Sequence, residues 1–371
     1  MTTTPVNAVK MGAVKNVVVM AGGTGGHVFP ALAVAEELRA RGVHIHWLGT
    51  RNGIEAELVP ARDFPITYLD VSGVRGQGLK RLLLAPFKLV VAVAAAMKVL
   101  KTVQADAVIG LGGYVTGPGG VAARLLGKPL LIHEQNAVAG FTNRLLSLFA
   151  QRVLEAFPYA FAPAEKVSCV GNPVRREIAA LPVPALRYGE RATENGLHVL
   201  VLGGSQGAVA LNKLVPEALA LLVKTQALVI RHQAGKKNLE KAQTKYSELN
   251  IAADVLPFID DMAAMYGWAD LVICRSGALT ISEIAAAGVA SVLIPYPFAV
   301  DDHQTLNGKF LSVAGAARLF RQQDLSAEKL AAELAPLLSR EKLLHMATAA
   351  RALAKPEATN AVAEACLRGG Q

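Results

Sequence analysis

Cysteine is scarce: Cys169, Cys274 and Cys366 are the only three in 371 residues, and they stand far apart. An odd, scattered set excludes a disulfide framework and a CxxC metal site, and it fits a reducing cytoplasm. Aromatic residues make up 5% of the chain and no basic stretch is interleaved with them, so the stacking platform of a single-strand nucleic-acid binder is absent. No nucleic-acid partner is expected. No apolar run reaches the roughly 18 uncharged residues of a membrane span, because Leu82 to Leu100 is interrupted by Pro86, Lys88 and Lys98. The opening MTTTPVNAVKMGAVKN has neither an apolar core nor a small-residue cleavage site, and reads as a loose tail rather than a secretory signal. Acidic residues are the minority, 29 against 38 basic, and the net charge of +9 favours anionic partners such as nucleotides, pyrophosphates or acidic lipid. With 52% hydrophobic and 18% charged residues the chain is globular, and its length suits two domains.

What is present is a strand, a glycine loop and a helix, used more than once. Lys15 to Met20 reads as a buried strand, Ala21 to His27 (AGGTGGH) as a loop, Pro30 to Arg41 as a helix stopped by Gly42, and His44 to Leu48 as the next strand. That is a βαβ unit of the doubly wound type, whose ligands sit at the carboxyl ends of the strands. The loop is not GxGxxG, since Val28 stands where the third glycine would fall, and no GxxxxGK[ST] occurs. A second glycine stretch, Gly110 to Gly120, follows the strand Ala107 to Ile109. Leu130 to Ile132 is a third strand and runs into His133-Glu134-Gln135-Asn136. After a proline-rich lapse, Leu197 to Leu202, Gly203 to Gly207 and a helix from Ala208 repeat the opening pattern, which gives two Rossmann-like domains split near Gly171 to Arg176. Further strands are expected at Ala227 to His232, Asp254 to Leu256 and Leu271 to Cys274, with Val292 to Pro295 as the last core strand. Helices follow at Ala327 to Leu338, Arg340 to Lys355 and after Pro356.

The stretch Leu271 to Gly288 points most directly to a ligand. A strand, the turn Arg275-Ser276-Gly277 and a helix from Ala278 offer unpaired N–H groups and a positive dipole end to a phosphate. Glu283, about one turn further in, has two acceptor oxygens for the vicinal hydroxyls of a ribose. A capped helix with a solvated glutamate fits this stretch equally well.

Taken together, GGTGGHVFPALA at 22–33, GLGGYVTGPGG at 110–120, HEQN at 133–136, GNPVR at 171–175, GGSQGA at 203–208 and FIDDMAAMYGWADLVICRSGALTISEIAAAG at 258–288 resemble the bacterial MurG family of transferases over nearly the whole chain after Lys15. Those enzymes move N-acetylglucosamine (GlcNAc) from UDP-GlcNAc to lipid I, undecaprenyl-pyrophosphoryl-MurNAc-pentapeptide, giving lipid II for peptidoglycan, and so serve cell shape and division. The resemblance implies an α/β GT-B fold of two Rossmann-like domains facing a cleft. It also implies inverting transfer without metal or cofactor, a peripheral place on the cytoplasmic face of the inner membrane, and cell-wall and division proteins as partners. No Asp-x-Asp pair is present to hold a divalent ion on a diphosphate. The implied division of labour gives 1–174 to the acceptor and membrane, with 356–371 packing back on it, and 175–355 to UDP-GlcNAc.

Carried over by position, the donor contacts are Thr24, Gly25, Gly26, Asn136, Arg175, Ser205, Ile259, Ala278, Leu279, Thr280, Ile281, Ser282, Glu283 and Gln304. Departures are slight: Ala290 stands where proline is usual, and Ala234 where Ser or Thr is common. Arg175 reads as a partner for the leaving diphosphate or as a hinge salt bridge. His27 is the first candidate for the general base and Glu134 the rival, while His133, His232 and His303 read as polar loop residues and His44 and His46 as structural. Arg75, Lys80, Arg81 and Lys88 border Leu82, Leu83, Leu84 and Phe87, an apolar tip with a basic rim suited to an anionic membrane surface. In this reading the anchor is Gly78 to Phe87, and Leu89 to Leu100 is a core helix. Two other classes stay open on the residues: a metal-independent UDP-GlcNAc epimerase, and a non-catalytic nucleotide-sugar-binding subunit, against which the acceptor-side loops argue.

Overall fold

A computed structural model gives the structure of the chain; it describes residues 14–71, 79–191, 193–203 and 208–369, and only the backbone at 79–85 and 300. Most of the expected loose tail, and the candidates Arg75 and Ser205, lie outside the described residues. Strands β1 (Asn16–Met20), β2 (His44–Gly49), β3 (Ile66–Tyr68), β4 (Ala107–Gly110), β5 (Leu130–Glu134), β6 (Arg152–Glu155) and β7 (Val167–Cys169) form a seven-stranded sheet in the order β3-β2-β1-β4-β5-β6-β7. Strands β8 (Leu197–Leu202), β9 (Leu228–Gln233), β10 (Asp254–Leu256), β11 (Leu271–Cys274), β12 (Ala290–Leu293) and β13 (Ala317–Leu319) form a second sheet ordered β10-β9-β8-β11-β12-β13. β1 pairs in parallel with β2 and β4, and β8 with β9 and β11, so each is the strand beside which the winding reverses. The carboxyl ends of β1 and β4, and of β8 and β11, are therefore the switch points at which a doubly wound sheet opens a crevice for ligand.

The apolar runs form strands because both faces are covered. In the second sheet Leu200, Leu202, Val272 and Cys274 pack into one cluster while Val199, Val201, Leu271 and Ile273 pack into another. Alternate residues point to opposite faces, and continuous apolar sequence is what parallel strands under two layers of helix require. By contacts the chain divides into two units, Met1–His133 with Thr142–Val153 and Asn360–Gln371, and Glu134–Phe141 with Leu154–Thr359. The last helix, Ala358–Leu367, enters the first unit from Asn360 onward, where Asn360 Oδ1 accepts from Arg41 Nη2 at 3.2 Å.

Several expectations are corrected. The first helix runs Gly25–Ala40, so Pro30 is inside it rather than at its first position, and His27 lies in the first turn. With no Cβ at Gly25 or Gly26 the chain turns directly from the loop into helix, and Pro30, without an N–H, leaves one helical bond unmade. The helix expected as core at 89–100 is part of Leu79–Thr102, in which Ala92, Ala96 and Leu100 are buried but Phe87, Leu89, Val90 and Val91 are exposed. Among the described side chains, one stripe of that helix, Ala92, Ala96 and Leu100, meets the unit. β12 starts at Ala290, not Val292, and β13 follows it, so the expected last core strand is not the last. His133 and His232 lie buried in β5 and β9 rather than in polar loops.

Candidate functional site

In the first unit the glycine loop after β1 is packed from two sides. Thr24, the residue before the helix, is extended and makes no side-chain cap, so the first N–H groups of the helix are not claimed by it. The loop after β4 lies against it: a Cβ on Gly113 would meet the Gly22 carbonyl oxygen at 2.5 Å, and one on Gly112 would meet the His27 ring at 2.6 Å. Both glycines have positive φ, 105° at Gly112 and 88° at Gly113, which other residues rarely adopt. His27 Nδ1 is 3.3 Å from the Gly22 oxygen. Beneath the loop lies Glu55, with none of its surface exposed. Its Oε2 accepts from Gly23 N at 2.9 Å, and its Oε1 accepts from Thr50 N at 2.9 Å and Thr50 Oγ1 at 2.6 Å.

In the second unit the helix after β11 is Ala278–Ala287, preceded by Gly277, which makes no side-chain cap, and ended by Gly288 in the left-handed conformation. Its last carbonyls are occupied: Ala287 and Gly288 accept from Arg187, and Ala286 from Arg351. Among the described residues, cations answer the carboxyl end of the dipole and no acidic side chain of the first turn answers the amino end, where the open N–H groups suit an anion. Of the expected contacts here, Ala278, Leu279 and Thr280 stand in the first turn, Ile281 is buried in the core, and Ser282 Oγ donates to Ala278 O at 3.0 Å.

Glu283 is 4% exposed. Its Oε1 accepts from Arg175 Nη2 at 2.9 Å and Nε at 3.3 Å, and its Oε2 accepts from Tyr266 Oη at 3.1 Å. Burial pushes the Glu283 carboxyl above its usual range, while the Arg175 guanidinium and the Tyr266 hydroxyl pull it down. Tyr266 is itself pushed well above its ordinary value, by burial and by the charge of Glu283, and so stays a donor. Arg175 is thus bonded to a carboxylate, as in the hinge-pair alternative.

Glu134 does not stand as an open base. Its Oε1 accepts from Asn136 N and Nδ2, at 3.1 and 3.2 Å, and its Oε2 from Gly140 N at 3.0 Å, so it shapes the loop that carries Asn136. Asn307, fully buried, joins this loop to the Ser276 turn: its Nδ2 donates to Asn136 Oδ1 and to Ser276 O, and its Oδ1 accepts from Ala137 N. Gln304 Oε1 accepts from Tyr296 N at 2.9 Å, and Ile259 is buried. Beside Gly203, Asn212 donates to Ala234 O and accepts from His232, whose other nitrogen meets Tyr246 Oη. Burial lowers His232 to about 4, so it is a neutral strut.

The structure thus brings together Glu283 with Arg175, and Asn136 with Glu134 and the Ser276 turn, within one unit, and Thr24, Gly25, Gly26 and His27 within the other. Glu55, Tyr266 and Asn307 were not anticipated. The signal available for Glu55 was glycine at 22, 49 and 53, where a Cβ would lie 2.5, 2.8 and 1.9 Å from its side chain. Among the described residues no group of three or more His, Cys, Asp or Glu could hold a metal ion.

Residues 17–155 match the glycosyltransferase family 28 N-terminal domain and residues 198–363 the family 28 C-terminal domain. A protein of Aeromonas hydrophila is 54% identical over 95% of this chain and 97% of its own, and one of Cellvibrio japonicus 56% identical over 95% and 98%. Both are named UDP-N-acetylglucosamine--N-acetylmuramyl-(pentapeptide) pyrophosphoryl-undecaprenol N-acetylglucosamine transferase. The crystal structure of Acinetobacter baumannii MurG superposes with a TM-score of 0.83 at 46% identity, covering 95% of this chain and 99% of that one. A UDP-GlcNAc 2-epimerase from Neisseria meningitidis shares the fold alone, with a TM-score of 0.65 at 13% identity over 95% of this chain and 100% of its own. With two parallel-sheet α/β units of the GT-B type and this likeness over nearly its full length, the chain belongs to glycosyltransferase family 28, among the bacterial MurG transferases.

Proposed function

We infer that the chain is the hexosyltransferase that moves GlcNAc from UDP-GlcNAc to the 4-hydroxyl of MurNAc in lipid I, releasing UDP and lipid II. The observation that carries this is identity above 50% to transferases of that name over about nineteen-twentieths of the chain. Incubation with UDP-GlcNAc and a short-chain lipid I analogue tests it, the expected product being the disaccharide lipid. UDP-ManNAc formed from UDP-GlcNAc alone would support the epimerase instead.

The donor reading rests on the second unit. The diphosphate meets the open N–H groups of Ala278 to Thr280 with Ser205 and Arg175, the uracil meets the backbone at Ile259, and the sugar meets Gln304 and Asn136. Glu283 takes the ribose hydroxyls, exchanging the Tyr266 or Arg175 bond for them. In the first unit Thr24, Gly25 and Gly26 offer backbone to the substrate, and His27 accepts the proton of the attacking hydroxyl. Glu134, whose oxygens already serve its own loop, becomes a positioning residue.

For the membrane reading, among the described residues no helix is long and apolar enough to cross a bilayer. The proposal is a peripheral contact through the start of the helix Leu79–Thr102, with Arg75, Lys80, Arg81 and Lys88 meeting anionic lipid and Leu82, Leu83, Leu84 and Phe87 entering the headgroup zone. Phe87 is 70% exposed, and Leu89, Val90 and Val91 prolong its apolar surface along the helix. On this reading the protein works at the cytoplasmic face of the inner membrane, with cell-wall and division proteins as its partners. Sedimentation with anionic vesicles, weakened by salt, is the expected result; equal sedimentation with neutral vesicles at low salt counts against it.

A further inference from the structure

We propose that Glu55 acts on His27 through the peptide bond between Gly22 and Gly23, as a positioning residue for the proton acceptor of the transfer. This rests on reading His27 as that acceptor. The Gly23 N–H donates to Glu55 Oε2 at 2.9 Å, and the Gly22 carbonyl oxygen, part of the same peptide group, faces His27 Nδ1 at 3.3 Å. Carboxylate, amide and imidazole thus stand in one line of hydrogen bonds. An amide whose N–H is bonded to a carboxylate is polarised, and its carbonyl becomes a stronger acceptor. That selects the tautomer with the proton on Nδ1 and the lone pair on Nε2. In the step itself the MurNAc 4-oxygen bonds to C1 of GlcNAc as the bond from C1 to the β-phosphate oxygen breaks. UDP leaves with that electron pair, the hydroxyl proton goes to Nε2, and the resulting imidazolium is held through Nδ1–H by the polarised carbonyl.

The slot is built for this side chain. A Cβ at Gly22 would lie 2.5 Å from Glu55 Oε1, one at Gly53 1.9 Å from Oε2, and one at Gly49 2.8 Å from Cγ. Thr50 holds Oε1 through its N–H and its hydroxyl, so the carboxylate has one orientation. Gly112, where a Cβ would lie 2.6 Å from the ring, lets its loop close on the imidazole. Among the described residues Glu55 makes no ion pair, and a buried charge without a counter-ion costs more than the neutral amide that loop packing alone would need. The other titratable groups on the segments packed here are Tyr114, on the Gly112 loop, Arg51 and Glu57, on the Glu55 turn, His44 and His46, on the strand that ends at Gly49, and Tyr68, whose hydroxyl donates to Ala56 O and whose ring lies under the Arg51 guanidinium.

Glu55→Gln keeps the shape and removes the charge. The expected result is a kcat lower by about tenfold or more, with UDP affinity held within about twofold. The acid limb of the kcat/KM profile should move to lower pH, because the imidazolium has lost its support. Nitrogen-15 NMR of His27 in the native protein should show the proton on Nδ1. A native ring protonated on Nε2 overturns the relay, as does a Glu55→Gln enzyme whose acid limb stays in place, even if its activity falls. Should the glutamine variant not fold, the tautomer of the native ring still decides. His27→Ala separates the two ideas: unchanged kcat there removes the acceptor reading, whereas lost kcat with an unmoved limb in Glu55→Gln removes only the relay.

Discussion

Each unit buries a carboxylate beside a strand, loop and helix at its switch point, Glu55 in the first and Glu283 in the second, and these two are partnered in opposite ways. Glu55 is bonded to two backbone N–H groups and a hydroxyl; Glu283 is bonded to the side chains of Arg175 and Tyr266. Backbone donors fix a loop and cannot leave, so Glu55 stiffens the ground on which His27 stands. Side-chain partners can turn away, so Glu283 can exchange them for a ligand. The cost of that readiness is visible in its ionisation. A carboxyl raised above its usual value in the folded state contributes stability that is full at low pH and is lost as pH rises through the raised value. Above that raised value ionised Glu283 opposes folding, which suits a group retained for binding.

The comparison is broken most severely at His27. If the first unit supplies the proton acceptor, His27→Ala lowers kcat by about 10² to 10⁴ and leaves UDP affinity little changed. A loss confined to KM in steady-state assays would make His27 a binding residue and leave the rigid loop without its catalytic purpose. The second unit is tested at Glu283. Glu283→Ala should weaken UDP binding by about 1.5 to 3 kcal/mol, or roughly ten- to 150-fold, measured calorimetrically. Equal affinity of the native protein for UDP and for its 2′,3′-dideoxyribose analogue would remove the ribose contact altogether.

What the sequence made legible follows the same division. The buried parallel strands β1, β4, β5, β8 and β11 stood out because an apolar run between glycine loops has few alternatives, and the open amino end of the helix at Ala278 follows from local residues. β3, β7 and β13 were silent, since three residues such as Ala317-Arg318-Leu319 carry no period. The helix at 89–100 misled because composition counts apolar residues without saying which face they occupy. Glu55 and Asn307 were hidden for another reason. Glu55 meets Gly23 across 32 positions, and Asn307 meets Asn136 across 171, so their roles exist only once the loops are folded together.

A smaller effect should come from the slot rather than the charge. In Gly53→Ala the new methyl would fall 1.9 Å from Glu55 Oε2, and the carboxylate, held by three bonds, has to shift. Overpacking of this kind costs about 1 to 3 kcal/mol, read as a lower Tm. If the rigid loop matters to the reaction, kcat falls with it while UDP affinity stays. A lowered Tm with native kcat would show that the loop tolerates movement and would weaken the contrast with Glu283.

The smallest expected effect sharpens the other side. Tyr266→Phe removes one neutral donor from Glu283 and nothing else, since the ring is buried and its shape is kept. The hydroxyl helps to hold the carboxyl down against burial, so its loss raises the Glu283 pKa further. A protonated Glu283 no longer offers the same pair of acceptors to the ribose. UDP affinity should therefore fall by about 0.5 to 1.5 kcal/mol at neutral pH, and the pH below which affinity declines should move upward. Calorimetric titrations of UDP from pH 5 to 8 on both proteins read this directly. A midpoint that stays where it is, with affinity merely lowered at every pH, would make Tyr266 a packing residue, and would leave Arg175 as the partner that keeps Glu283 charged.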